Sequence, residues 1–155
     1  MAYWLLKTEP DCYSWDNLVR DGRTTWDDVT NATALIHLRK MKTGDLALIY
    51  HTGTQRACVG LAQITSLPYP DPKSDDPRIV VVDVKPLRKL ARAVSLDQIK
   101  SDPAFAGWEL VRIGRLGVMP VPSKLWKRIE RMSRTGATDS PKKSIAPGSS
   151  KRSRR

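Results

Sequence analysis

Phenylalanine occurs once in this 155-residue chain, and cysteine and histidine twice each. The shortage of cysteine excludes a disulfide-dense secreted scaffold. Cys12 and Cys58 lie in "PDCYS" and "RACVG", which lack metal-ligand spacing, so both are read as free thiols in a reducing compartment. A zinc site would require Cys12, Cys58, His37 and His51 to converge from four separate elements, and no metal is expected. No stretch approaches the roughly 18 apolar residues of a membrane span. The opening "MAYWLLKTEP" has no basic segment leading into an apolar run, so no secretory leader is expected. A soluble, intracellular protein follows as the expectation, cytoplasmic first, with nucleoid or nucleus as the alternatives depending on the organism.

Enzyme signatures are also scarce. There is no G-x-x-x-x-G-K-S/T loop, no G-x-G-x-x-G after a strand and no G-x-S-x-G elbow. Asp16, Asp27 and Asp28 offer carboxylates, but Asp is ordinary at helix starts and in turns. No catalytic residue and no cofactor are assigned.

What the chain does have is positive charge, unevenly placed. The formal net charge is +11. The segment from Ser133 onward contributes +6 of it, and residues 1 to 132 the other +5. Rich in Ser, Gly, Pro and charge, residues 133 to 155 are expected to form a disordered basic tail. Such a tail attracts polyanions without reading them. The remaining 1–132 segment is long enough for one domain with its own core.

Within that segment the pattern is short strands with helices inserted between them. Tyr3–Lys7 reads as a strand, closed by Thr8-Glu9-Pro10. Ser14 caps a short helix that stops near Gly22. "TTWDDVTN" at 24–31 reads as a polar loop around one tryptophan, with Asn31 or Thr33 capping the next helix. Leu35, Leu38 and Met41 form that helix's apolar stripe. Strands at 46–50 and 57–65 flank a polar turn, and "RIVVVDVKPL" predicts a long, buried strand. Ser95 and Gln98 form a capping box for a helix over 96–100. "RLGVMPV" predicts a last strand, and "SKLWKRIERM" a helix with Leu125, Ile129 and Met132 on one face. The fold class is α+β: a small curled sheet or partly closed barrel of about five to six strands, with short helices around it.

Two places suggest a ligand. Trp26, in its polar loop with Asn31 beyond it, can stack on a flat ring while the amide reads the ring's edge. Tyr50, His51 and Thr52 at a strand end add stacking surface and short donors. Core packing and simple turn formation are the competing readings of both.

Several segments, in order, resemble one family. These are "YWLLKTEP" at 3–10, "TTWDDVTN" at 24–31, "LRKMKTGDLALIYHTG" at 38–53, "VGLAQI" at 59–64, "YPDP" at 69–72, "VVVDVKPLRKL" at 80–90 and "GRLGVMPV" at 114–121. The chain resembles the EVE domain family, in the PUA-like group with YTH and ASCH domains. The resemblance covers about residues 2–132. It implies a PUA-like curled β-barrel and a non-catalytic module that binds nucleic acid, DNA ahead of RNA. A modified base, methylated or hydroxymethylated cytosine first, would be flipped into a pocket. By position, the resemblance assigns that pocket to Thr8, Glu9, Trp26, Asn31, Tyr50, His51 and Thr52. Arg88, Lys89, Arg92, Arg112 and Arg115 are the candidates for phosphate-backbone contact. The chain departs from the family pattern at Asp28, where glycine is usual, at Thr30, where arginine is usual, and at Leu35 and Ile36, which replace polar residues. The other readings are an RNA reader of the same fold, a small nucleobase hydrolase using Glu9 and His51, and a protein-interaction module.

Overall fold

The computed structural model describes residues 1–135. The tail expectation falls on residues that are, from 136 onward, outside the described part. Its first three residues continue the last helix, and Ser133 is buried there.

Six strands run in the order β2-β6-β4-β3-β1-β7, with the short β5 added to β6. They are β1 (Tyr3–Thr8), β2 (Thr24–Trp26), β3 (Leu46–His51), β4 (Ala57–Ile64), β5 (Tyr69–Pro70), β6 (Val80–Ser95) and β7 (Val118–Pro120). The helices are α1 (Trp15–Asp21), α2 (Ala32–Arg39), α3 (Leu96–Lys100), α4 (Glu109–Arg112) and α5 (Ser123–Thr135). Among the described residues no ladder joins β2 to β7, so the sheet is a curled half-barrel, the α+β architecture expected from the sequence.

Its curl has a local cause. β6 is 16 residues long, and its pairing with β4 slips twice. Cys58 pairs with Val94 but Gly60 with Lys89, so several β6 residues stand opposite Val59. Unmatched residues of this kind bend a strand and increase its twist. Gly60 lies at this bend because Trp15 packs on it: a Cβ there would sit 2.5 Å from the indole.

β1 and β3 are the parallel pair, from Tyr3↔Leu46 to Thr8↔His51. Bulky apolar residues at their centres, Leu5, Leu6, Leu48 and Ile49, are fully buried. β7 closes the outer edge of β1, and α5 packs Trp126 on Tyr3, with ring centroids 4.5 Å apart. The Ser14 and Ser95 caps are both complete capping boxes.

One local expectation fails. Thr24–Trp26 is not a loop but a strand, paired antiparallel to Val82–Val84 of β6. Three residues carry no periodicity of their own; β6 supplies the pairing that makes them a strand.

Candidate nucleic-acid interface

The C-terminal ends of β1 and β3 lie side by side. The loop leading into α2, the helices α3 and α4, and the segment before β7 gather around them, and a crevice outside the ends of parallel strands is a usual place for a ligand. Here there are two clefts, and one side chain, Lys7, lines both.

The first cleft, about 220 Å³, is formed by the 28–31 loop, Ala34 of α2, the 115–118 segment and Lys7. Val29, Ala34 and Val118 give it apolar wall. Asn31, Thr30, Asp28, Lys7 and Arg115 give it polar rim. Asn31 is the N-cap of α2, and its side-chain oxygen accepts from the Ala34 N–H at 3.0 Å. That use of the oxygen leaves the amide nitrogen as the group able to donate to a ligand. Asp28 has φ +64°, in the left-handed region that favours glycine. Asp tolerates the conformation better than most residues and adds a carboxylate to the rim.

The second cleft, about 260 Å³, is lined by Lys7, Tyr50, Thr52, Gly53, Arg56, Leu96, Lys100, Leu110, Val111 and Gly114. Lys7 is half-buried. Its ammonium donates to the Gly114 carbonyl at 2.9 Å and stands 5.5 Å from the Tyr50 ring centroid. Burial lowers the Lys7 pKa from its ordinary value. Burial pushes the Tyr50 phenol up to about 12, so it stays protonated at neutral pH.

The seven base-pocket residues taken from the sequence are therefore divided. Asn31 lines the first cleft, and Tyr50 and Thr52 the second. The others line neither. Trp26 is 7% exposed, at the end of β2 and packed in the core rather than held in an open loop. His51 is buried with both ring nitrogens engaged. Nε2 accepts from the Trp15 N–H at 3.0 Å, so Nδ1 carries the proton toward Gln55 Oε1 at 2.7 Å. It ties α1 to the end of β3. Thr8 donates to the Tyr13 carbonyl at 2.6 Å, and Glu9 accepts from the Thr52 hydroxyl at 3.2 Å. These four hold the walls in place.

The cations divide too. Arg115 lines the first cleft, whereas Arg112 donates to the Gly107 carbonyl. Arg88 pairs with Glu130 of α5 at 2.6 Å, and the Arg92 guanidinium donates to the Thr135 carbonyl while its backbone N–H donates to the Ser133 hydroxyl. Arg88 and Arg92 thus belong to the β6–α5 side, and Lys89 lies on β6 opposite Gly60; none of the three lines either cleft. Of the departures from the family pattern, Leu35 is core. Ile36 and Thr30 line a separate groove of about 270 Å³ with Arg39 and Arg78. Lys7 is the residue sequence reasoning missed. Its signal is a lone cation inside an otherwise apolar opening strand.

Among the described residues, no group of three or more His, Cys, Asp or Glu is placed to hold a metal ion. No described helix is long and apolar enough to cross a membrane.

This half-barrel, with its clefts at the ends of a parallel strand pair, defines the class of protein. The EVE domain model matches residues 2–132, and the chain belongs to the EVE domain family. Rat thymocyte nuclear protein 1 is 34% identical over 125 residues, a match covering 64% of this chain and 55% of the relative. The chain thus spans about half the length of the curated relatives it matches. The solved structure of Rpa0253 from Rhodopseudomonas palustris superposes with a TM-score of 0.82 at 36% identity, over 87% of this chain and 94% of that one. Human THYN1, solved in complex with 5-methylcytosine-containing DNA, gives a TM-score of 0.79 at 26% identity, over 86% and 98%. The expected cytoplasmic location is corrected by these relatives: they are named thymocyte nuclear proteins, a name that for them points to the nucleus.

Proposed function

We infer that the chain is a non-catalytic reader of nucleic acid, DNA ahead of RNA, that accepts one extruded base in the cleft of Lys7, Asn31 and Arg115. The observation that carries this is one small cleft combining apolar wall, a carboxamide with its donors uncommitted and two cations. The family membership and the DNA complex of human THYN1 support the same reading.

The energetics set what each part must do. Cations hold the phosphate backbone and give salt-dependent, sequence-blind affinity. Extruding a base costs a few kcal/mol. Shape and edge hydrogen bonds must return that cost and also discriminate. A buried methyl contributes about 0.8 kcal/mol, roughly fourfold, so preference for a methyl mark alone is modest. Edge recognition by Asn31 carries the larger share. Trp26 serves as the rigid backing of the 28–31 loop, not as the stacking platform. Thr8, Glu9 and His51 fix the strand ends that Tyr50 and Thr52 extend.

Asn31→Asp isolates the edge contact. It keeps the capping oxygen and removes the amide donors. The measurement is the affinity ratio between oligonucleotides carrying 5-methylcytosine and thymine at one position, since both bases bear the methyl. The ratio is expected to fall about tenfold with thermal stability retained. An unchanged ratio removes Asn31 from the reading.

A further inference from the structure

We propose that the second cleft, lined by Lys7, Tyr50, Arg56 and Lys100, is a phosphate subsite that holds the phosphodiester of the nucleotide whose base occupies the first cleft. The proposal rests on the base-reading function above and assigns the neighbouring cavity a chemistry.

Three observations carry it. The first is charge. Three cationic side chains line one cleft of about 260 Å³, and no carboxylate is among the lining residues. Two carboxylates adjoin the cleft behind its lining. Glu9 accepts from Thr52 and lies beneath Gly53, where an added Cβ would meet it at 3.1 Å. Asp97 lines a smaller adjoining cleft, about 60 Å³, with Gln55 and Arg56. The lining itself presents three positive charges and no negative one, and a bound anion makes charge-assisted hydrogen bonds there.

The second is Lys7. It reaches into the space between both clefts from a buried strand, and burial disfavours its charge. A carbonyl, the Gly114 oxygen, is a neutral partner for it. An ammonium has three protons to donate, so two more acceptors fit. The Tyr50 phenol, kept protonated, adds a neutral donor at the same wall.

The third is Arg56. Its φ is +45°, in the left-handed region, and its carbonyl accepts from the Leu96 N–H at 2.8 Å, which fixes the backbone beside the cleft. This held conformation, in the turn between β3 and β4, belongs to a cation that lines the cleft. Leu96, Leu110 and Val111 supply an apolar floor suited to the sugar. Because Lys7 is common to both clefts, base and phosphate of one nucleotide can lie on either side of it.

The test is calorimetric binding by the full chain at fixed ionic strength. The probes are 5-methyl-2′-deoxycytidine, its 5′- and 3′-monophosphates and inorganic phosphate. The chain is compared with an Arg56→Gln/Lys100→Gln double variant. At least one monophosphate is expected to bind about tenfold more tightly than the nucleoside, and the double variant to lose that gain while keeping nucleoside affinity. Equal affinity of nucleoside and both monophosphates overturns the subsite. So does a phosphate gain that persists in the double variant, which assigns it to other cations. If inorganic phosphate binds as well as the monophosphates, and the double variant loses it, the subsite stands and the base-reading function falls.

Discussion

The two ends of the β1–β3 pair are built on opposite electrostatic plans. At the Tyr3–Leu46 end a carboxylate is buried, and it is saturated. Asp45 accepts from the Ala2 N–H at 3.1 Å, the Trp4 indole N–H at 3.0 Å and the Lys42 N–H at 3.0 Å. At the Thr8–His51 end an ammonium is half-buried between two clefts, with a carbonyl for a partner. One end uses its charge to close the fold. The other keeps hydrogen-bonding capacity in reserve, at a cost in stability, as a binding site does.

Substitution of each charge sharpens the contrast. The largest effect on stability is expected from Asp45→Ala. Three N–H groups lose their acceptor, one of them a buried indole, and unfolding in urea should show a loss of about 3 kcal/mol. Nucleic-acid affinity of the folded fraction should not move. Lys7→Met reverses the pattern. Removing a desolvated charge leaves stability within about 1 kcal/mol of the parent, because the lost carbonyl bond is offset by the relief of burial. Affinity for a short oligonucleotide should fall about tenfold in the same protein. If Asp45→Ala weakens binding, or Lys7→Met unfolds the chain, the two ends are not functionally distinct.

The contrast also explains what the sequence could convey. Features with local causes were legible. The Ser95–Gln98 box and the cap of α2 need only neighbouring residues: α3 begins where the box places it, and of the two caps the sequence offers, Asn31 and Thr33, the structure uses Asn31. Leu35 and Leu38 are buried as the helical period predicts, whereas Met41, expected on the same stripe, is buried from beyond the end of α2 at Arg39. Features with distant causes were not. Trp26 reads as an exposed stacking residue because its neighbours are polar, yet pairing with Val82 carries it into the core. His51 reads as a ligand group at a strand end, but its partners Trp15 and Gln55 are settled by packing of α1 and by the following turn. Lys7 draws no notice in sequence, since its meaning comes from Tyr50 across the ladder and from Gly114 near the other end of the domain.

The central claim is that discrimination resides at the Lys7 end of the folded domain, while the basic segment beyond Thr135 adds only sequence-blind attraction. The direct measurement is equilibrium binding of oligonucleotides with one cytosine, 5-methylcytosine or 5-hydroxymethylcytosine, at low and physiological salt. The full chain and a chain ending at Thr135 are compared. The account predicts that truncation and salt lower every affinity together and leave the marked-to-unmarked ratio intact. A ratio of one in both proteins, with binding that disappears on truncation or at higher salt, would contradict it.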